Sequence, residues 1–433
     1  MSRKSLPLRY VQVAALGLAW CIAGCKRAPQ PAPEFTLDAA ARQYVRLAVA
    51  LGEHDADSID YFYGPPAWVA DIRKQAPGST QIRQSSLDLI GDLNRMTLHD
   101  QTSETRRRFM AGQLQSIACR ASALAGAHTS FDEESRCAFG IVSPASYDEK
   151  GLAAIRAKIS TLLGPGRGSL AERYATFQSK YVVPGNRVRA VMARAIAGCR
   201  AETVKHIALP SDESIEVVFT GNEPWAGYSL YQGHHHSVVT FNTDLPVTLD
   251  RALDLACHES YPGHHTFNMT QDDALVRGKG ELELTVQPMY SQQSLLSESA
   301  AAIAIQMAFP QAERARFERD ELAPIAGIDA KDIDRYLKVE QLVEQLHPAI
   351  AVIARRYVDG DLEFARATQA LEDEALMGGG FETLKYLNEF RSYMVTYTVG
   401  PDILNRFLAN DEDRWATYRR WMQIEPPPGT TIH

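Results

Sequence analysis

The 433-residue chain lacks several features that mark whole classes of protein. No Cys-x-x-Cys pair occurs, so a cysteine zinc cluster or a thioredoxin-like redox motif has no support. No internal repeat has a solenoid period, which argues against a repeat protein. Basic residues are also in deficit, with 45 Lys and Arg against 53 Asp and Glu and a net charge of −8. That balance argues against nucleic acid as a partner.

The N-terminal apolar run, Val11 to Ala23, is too short to span a bilayer comfortably. Three basic residues precede it, which is typical of a signal peptide. The run ends in "IAGC", Ile22 to Cys25, which resembles the lipobox of bacterial lipoproteins. We therefore predict a lipoprotein signal peptide over 1–24, with lipid attached to Cys25.

A Pro-rich segment, "KRAPQPAPE", follows Cys25 and predicts an extended tether over 25–34. By resemblance to the sorting preference of such lipoproteins, Lys26 favours the outer membrane, with the protein facing the periplasm. An uncleaved anchor helix is the weaker alternative, because the apolar run is short. Loss of the three signal-peptide positives makes the mature chain three charges more negative than −8.

Four cysteines remain in the mature chain beside Cys25, in an oxidising compartment. A bridge between Cys119 and Cys137 is the simplest expectation, although spacing alone does not establish any pairing. Cys257 is expected to be a small packed residue and not a nucleophile.

Helix-type spacing of apolar residues dominates the chain after the tether, beginning with Leu37 to Leu51. Two short β-rich segments, "SIEVVFT" and "HSVVTFN", interrupt it after residue 213. The predicted fold is mainly α with a small β-sheet. A helical N-terminal region, 35–205, precedes a catalytic region, 206–433, and the two together are expected to form one structural unit.

The segment "ACHESYPGHHTF", Ala256 to Phe267, contains three histidines and a glutamate. In a His-Glu-x-x-His helix the two histidines share a face and hold zinc, but here the fourth position is Pro262. Pro262 and Gly263 must break the helix. We expect the break to bring His264 beside His258, with His265 as a residue behind the ligands or a substrate contact. The alternative, His265 as the second ligand, stays open.

A third metal ligand is expected, because zinc sites for hydrolysis use three protein ligands and leave a position for water. Glu298 is a single acid within a helix-type segment of small and apolar residues, where an unpaired carboxylate is costly to bury. We predict it as that ligand. A salt bridge to some Arg or Lys is the other interpretation.

"HESYPGHH", together with "LPVTLDRALDLA", "QSLLSESAA" and "FRSYMVTYTVG", resembles the bacterial lipoprotein and peptidase-like family catalogued as domain of unknown function 885. This family is similar to the Glu-zincin metallopeptidases. The resemblance implies a zincin-like metallopeptidase fold and Zn²⁺ bound by His258, His264 or His265, and Glu298. It also implies Glu259 as general base and Tyr397 as a donor to the oxyanion.

Other polar residues are weaker candidates. Tyr393 lies one helical turn from Tyr397, so the two tyrosines are explained almost as well by a packed aromatic face as by a catalytic role. Arg391 has a guanidinium that suits a peptide carboxylate, although solvated surface is the commoner role of a single Arg. His236, the last of three consecutive histidines, is expected to line the cleft or to belong to a solvated loop.

These features predict a zinc metallopeptidase that cleaves peptides or dipeptides within a deep cleft. Glu259 takes a proton from the attacking water in this hypothesis. One alternative is a non-catalytic, metal-binding envelope lipoprotein. Another is a zinc amidase that acts on cell-wall peptides.

Overall fold

The structure is a computed structural model that describes residues 35–409 and 411–423. The predicted signal peptide, the tether and the lipid-bearing Cys25 lie outside the described residues. From Leu37 onward the described residues form one compact unit.

Helices make up most of this unit, which confirms the prediction of a mainly α fold. The N-terminal helices are α1 (Leu37–His54), α2 (Pro66–Gln75), α3 (Ser79–Arg95), α4 (Gln101–Leu124), α5 (Phe131–Phe139), α6 (Glu149–Leu163), α7 (Leu170–Gln178) and α8 (Val188–Thr203). The next helices are α9 (Leu249–Glu259), α10 (His264–Gln271), α11 (Gln292–Ala302), α12 (Ala304–Ala308), α13 (Gln311–Phe317) and α14 (Ala323–Ala326). The C-terminal helices are α15 (Ile333–Glu344), α16 (His347–Val358), α17 (Phe364–Glu374), α18 (Gly380–Phe390), α19 (Val395–Thr398), α20 (Gly400–Leu408) and α21 (Arg414–Gln423).

Two small sheets accompany the helices. Strands β1 (Ile59–Phe62) and β5 (Val286–Pro288) pair antiparallel. The other sheet has the order β2-β4-β3, in which β2 (Ser214–Thr220) is parallel to β4 (His236–Asn242) and β3 (Gly227–Tyr231) is antiparallel to it. The sequence predicted β2 and β4 at these positions, but it did not predict β1, β3 or β5.

Helices α9 and α11 lie within the packed interior. The predicted apolar face of α9 is buried, with Leu249, Ala252, Leu253 and Ala256 each at most 1% exposed. It packs against α8 and α12, while α11 packs against α19, α20 and α21. Close approach of α20 to α11 requires glycine at position 400, because a Cβ there would collide with the Ser299 side chain.

Two disulfides cross-link the helices. Cys119 and Cys137 join α4 to α5, as the sequence predicted. Cys199 and Cys257 join α8 to α9. Cys257 is fully buried, as the sequence predicted, but its bond to Cys199 was not predicted, because the packing of α8 on α9 brings the second cysteine into bonding distance.

No helix in the described part of the chain is long and apolar enough to cross a membrane. A cavity of about 360 Å³ lies between α13 and α15, where it is lined by residues such as Gln311, Leu337 and Gln341. None of the predicted site residues lines this cavity.

Candidate metal centre

Helix α9 ends at the first two residues of the motif, His258 and Glu259. His258 lies off the buried face, and its side chain is 13% exposed. The preceding residue, Cys257, is bonded to Cys199. The end of α9 is thus covalently tied to α8 immediately before the motif begins.

Ser260 to Gly263 form the break between α9 and α10. The amide of Gly263 donates a 3.0 Å hydrogen bond to the carbonyl of Cys257. A Cβ on Gly263 would collide with the backbone carbonyl oxygens of Cys257 and His258, so this turn excludes every larger residue. Pro262 fits here because the position needs no amide donor.

The break places His264, at the start of α10, beside His258. The two imidazole rings lie 4.9 Å apart, centre to centre, and are nearly perpendicular. The chain therefore makes a turn that brings the second histidine back to the first. The structure brings His264, and not His265, into this position.

Glu298 of α11 completes a three-residue cluster with the two histidines. Its Oε2 lies 3.5 Å from Nε2 of His258, and its Oε1 lies 3.6 Å from Nε2 of His264. All three ligand atoms lie within 4.8 Å of one another. Ligands held about 2 Å from one tetrahedral zinc ion are separated by roughly 3.3 Å, which is close to the two distances between Glu298 and the histidines.

The charges in the cluster favour a cation. Burial acts to raise the pKa of Glu298, but the His264 and His258 rings outweigh it and hold that pKa below its usual value. Against its own burial, His264 has a pKa raised to about 9 by Glu298. Oε2 of Glu298 is buried and has no hydrogen-bond partner among the described residues. Two imidazoles and one carboxylate form a donor set that zinc uses.

Further side chains hold two of the three candidate ligands, His264 and Glu298, in place. Nδ1 of His264 lies 3.0 Å from the hydroxyl of Ser297. The phenol of Tyr393 donates a 2.8 Å hydrogen bond to Oε1 of Glu298. Such partners orient metal ligands and tune their basicity. Tyr393 is therefore a positioning residue behind Glu298, and it is almost fully buried.

Glu259 is 4% exposed, and burial raises its pKa. No side chain or backbone group in the described residues forms a hydrogen bond with its carboxylate. A Cβ on Gly227 of β3 would lie 2.7 Å from Oε1 of Glu259, so glycine there makes room for the carboxylate. Glu259 is thus a free carboxylate beside the cluster, as a general base requires.

His265 points away from the cluster and is fully buried. Its Nδ1 lies 2.8 Å from the hydroxyl of Ser237, and its Nε2 lies 3.1 Å from Oε1 of Glu213. The alternatives in which His265 is the second ligand or a substrate contact do not fit this position. It instead joins α10 to β4 and to the segment before β2.

Arg391 and His236 also have partners elsewhere. The guanidinium of Arg391 forms a 2.7 Å ion pair with Glu134 of α5 and donates to the carbonyl of Thr129. This pairing occupies the group that the sequence assigned to a peptide carboxylate, and the assignment is corrected accordingly. Nδ1 of His236 lies 3.0 Å from the hydroxyl of Ser214 on the neighbouring strand.

Tyr397 lies at the edge of the candidate site and is 36% exposed. Its ring contacts that of Tyr393 at 5.7 Å, and its hydroxyl lies 3.5 Å from that of Tyr386. Partial burial and the nearby Glu298 raise its pKa well above the usual range. The phenol therefore keeps its proton and remains a hydrogen-bond donor.

Sequence reasoning missed Asp60, which lies on β1. Its Oδ2 accepts a 2.9 Å hydrogen bond from Gln287 of β5, and Tyr228 of β3 donates to its backbone carbonyl. Asp60 is close enough to influence, and be influenced by, the charges of His264, Glu298 and Glu259. The available signal was a single acid within the aromatic-rich segment "SIDYFYG".

No protein-family model matches the chain, and no curated protein does. The chain is similar to a solved structure described as a "putative lipoprotein" from Colwellia psychrerythraea. The two are 12% identical with a TM-score of 0.46, and the match covers 90% of this chain and 74% of that one. A second, described as a "putative lipoprotein of unknown function" from Shewanella oneidensis, is 12% identical with a TM-score of 0.42, covering 91% and 80%. Similarities this distant carry no argument about activity.

Proposed function

We propose that this chain is a zinc-dependent peptidase of the bacterial cell envelope, with a zincin-like site. The observation that carries the proposal is the convergence of His258, His264 and Glu298 beside the unpaired carboxylate of Glu259. A protein that only stores or senses a metal has no need of a free base at that position. The resemblance of the motif to the family of domain of unknown function 885 also supports a peptidase.

Zinc fits the residues that are present. Two imidazoles and one carboxylate are the donor set of many hydrolytic zinc sites. Oε2 of Glu298 is buried without a hydrogen-bond partner in the described residues, so it is available to bind a cation. A zinc ion held there supplies Lewis-acid chemistry, because it polarises the amide carbonyl and makes nearby water more acidic.

The chain's own residues perform the proton transfers. Glu259 takes a proton from the attacking water as the carbon–oxygen bond forms at the scissile carbonyl. It then passes that proton to the amide nitrogen as the carbon–nitrogen bond breaks, which yields an acid and an amine. Tyr397 donates a hydrogen bond to the carbonyl oxygen as it gains negative charge. We propose that the peptide enters along a cleft, from the side on which the partly exposed Tyr397 lies.

The cellular location follows from the N-terminal sequence. The "IAGC" motif supports lipid attachment at Cys25, and the residue after it supports the outer membrane, with the site facing the periplasm. Both similar structures carry the description "putative lipoprotein". Incorporation of labelled palmitate, lost in Cys25→Ala, tests this part of the proposal.

Activity is tested with the full-length protein, purified from membranes in detergent and offered a mixed peptide library. We expect cleavage by the wild type and loss of at least about 1000-fold in Glu259→Gln, with zinc content unchanged. The matched control is Asp254→Asn, earlier on α9, where Arg251, which is exposed, is the only ion-pair partner of the carboxylate in the described residues. That variant should keep wild-type activity.

Two results would overturn the proposal. Wild-type protein that holds zinc and cleaves no peptide would favour the metal-binding lipoprotein or the cell-wall amidase. Equal loss of activity in Glu259→Gln and Asp254→Asn would show that Glu259 has no specific role.

A further inference from the structure

Asp60 has a carboxylate that is neither part of the metal cluster nor the general base. It lies on β1 and is half-buried. Its Oδ2 accepts from Gln287, and no Lys or Arg in the described residues forms an ion pair with it. The pKa of Asp60 is raised to about 7. Burial is the largest cause, Glu298 and Glu259 act in the same direction, and His264 acts to lower the pKa. The carboxylate thus lacks a cation of its own.

The sheets hold Asp60 in place beside the candidate metal centre. The β1–β5 pairing brings Gln287 to its carboxylate, and Tyr228 of β3 binds its backbone carbonyl. Tyr228 follows Gly227, the residue that contacts Glu259. Two adjacent residues of β3 thus contact Asp60 and Glu259 in turn. It is not among the residues whose ligand atoms cluster within 4.8 Å.

The surroundings of Asp60 are acidic at the surface as well. The exposed Glu389, at the end of α18, has a pKa raised by partial burial and by Asp57, Asp55 and Glu223. Asp57 lies two residues before β1, and Glu223 lies between β2 and β3. The one cation that the sequence assigned to substrate binding, Arg391, is paired with Glu134. Asp55 pairs with Arg120, whereas Asp57, Glu223 and Glu389 form no ion pair with a Lys or Arg in the described residues. These three unpaired charges favour a cationic substrate group over a carboxylate.

We infer that Asp60 binds the free α-ammonium group of a peptide substrate, so that the enzyme removes residues from amino termini or cleaves dipeptides. This inference rests on the proposed function and specifies its substrate class. A peptide residue spans about 3.5 Å, so an amino terminus one or two residues before the scissile bond reaches beyond the metal ligands. A carboxylate outside the ligand set but beside it suits that distance.

The test compares peptides that have a free amino terminus with N-acetylated peptides of the same sequence. For the wild type we expect kcat/KM to be roughly 10- to 100-fold higher with the free amino terminus. In Asp60→Asn that ratio should fall to about one, because the amide keeps an acceptor for Gln287 but loses the charge. Asp71→Asn, an equal change of charge at an exposed position on α2, is the control and should keep the ratio within about threefold.

A binding measurement separates recognition from turnover. Calorimetry with Glu259→Gln measures the affinity of a dipeptide and of its N-acetyl form, and the preference for the free amine should vanish in Glu259→Gln/Asp60→Asn. An N-acetylated peptide with lysine beside the scissile bond distinguishes a side-chain ammonium from the α-ammonium. Tight binding of that peptide in preference to the free amino terminus would contradict the inference.

The remaining outcomes are decisive as well. Wild-type cleavage of N-acetylated and free peptides at equal rates overturns the inference and leaves the proposed peptidase intact, even if Asp60→Asn fails to fold. Loss of zinc from Asp60→Asn would show that Asp60 serves the metal, and this too overturns it. Absence of any peptide cleavage, with no preference for the free amine in the calorimetry, removes both proposals.

Discussion

The phenol of Tyr393 donates a 2.8 Å hydrogen bond to Oε1 of Glu298, while Oε2 of the same carboxylate has no partner in the described residues. Tyr393 therefore holds the oxygen that lies 3.6 Å from Nε2 of His264, while the other oxygen lies 3.5 Å from Nε2 of His258. Tyr393 lies 95 residues further along the chain and is almost fully buried. This relationship makes the candidate ligand rigid before any metal arrives, and it is the basis of the first prediction.

Tyr393→Phe should weaken zinc binding by roughly 10- to 100-fold, because the variant removes the donor that orients Glu298. Competition with a chromophoric chelator measures the affinity. Tyr290→Phe is the matched control, since that buried ring contacts Tyr393, but within the described part of the chain its hydroxyl reaches only the carbonyl of Glu389, at 3.5 Å. Equal affinities in wild type and Tyr393→Phe would contradict the prediction.

The two adjacent histidines should respond differently to substitution. His264→Ala should abolish stoichiometric zinc, because His264 belongs to the three-residue cluster. His265→Ala should retain zinc but lower the free energy of unfolding by about 2–3 kcal/mol, because Ser237 loses its imidazole partner and the carboxylate of Glu213 loses one of its partners. Elemental analysis and chemical denaturation give the two readings. Retention of zinc by His264→Ala would remove that residue from the ligand set.

Gly263→Ala should destabilise the protein by about 2–4 kcal/mol, because the added Cβ collides with the backbone carbonyls of Cys257 and His258. Backbone atoms in a packed helix end cannot move aside as a flexible side chain does. Thermal and urea denaturation measure the loss. Gly78→Ala is the control, since a Cβ there meets nothing within 4 Å, and its stability should stay near that of the wild type.

Removal of the disulfide before the motif, with Cys199→Ala/Cys257→Ala, should cost about 4 kcal/mol, because the bridge closes a segment of 58 residues. Zinc affinity should fall as well, since α9 is no longer tied to α8 next to His258. The control is Cys119→Ala/Cys137→Ala, which opens a segment of 18 residues and should cost about 3 kcal/mol. Its zinc affinity should not change, and an equal loss in both variants would argue against a local effect.

Tyr397→Phe should lower kcat by about 100-fold with little change in KM, because a donor to the developing oxyanion acts mainly in the transition state. Steady-state kinetics with the best substrate from the peptide library measure both constants. Tyr357→Phe, whose phenol donates to Asn388 on the far end of α18, is the control. Unchanged turnover in Tyr397→Phe would leave Tyr397 as part of a packed aromatic face.

The sequence predicted the parts of the site that depend on local chemistry. His258, Glu259 and His264 lie within seven positions, and Pro262-Gly263 breaks the helix between them by properties of those two residues alone. Glu298 was recognisable as one acid among small and apolar residues. Strands β2 and β4 were recognisable because β-branched and aromatic residues occur at close spacing.

Other features depend on contacts between distant parts of the chain. Asp60 was missed because β1 pairs with β5, and its hydrogen-bond partner Gln287 lies 227 positions away. Arg391 was misassigned because its partner, Glu134, lies 257 positions away. No local pattern records such a pairing.

The sequence by itself determined the helical character of the fold, the interruption of α9 and the residue types available for binding a metal. Only the tertiary structure decided that His264 faces Glu298 while His265 faces Glu213, and that Cys257 bonds to Cys199. Backbone preferences and breaks arise from each residue and its near neighbours, whereas side-chain partners are chosen by how separate helices and strands pack. In this protein that packing places one of two neighbouring histidines in the candidate metal site and buries the other in hydrogen bonds to separate segments.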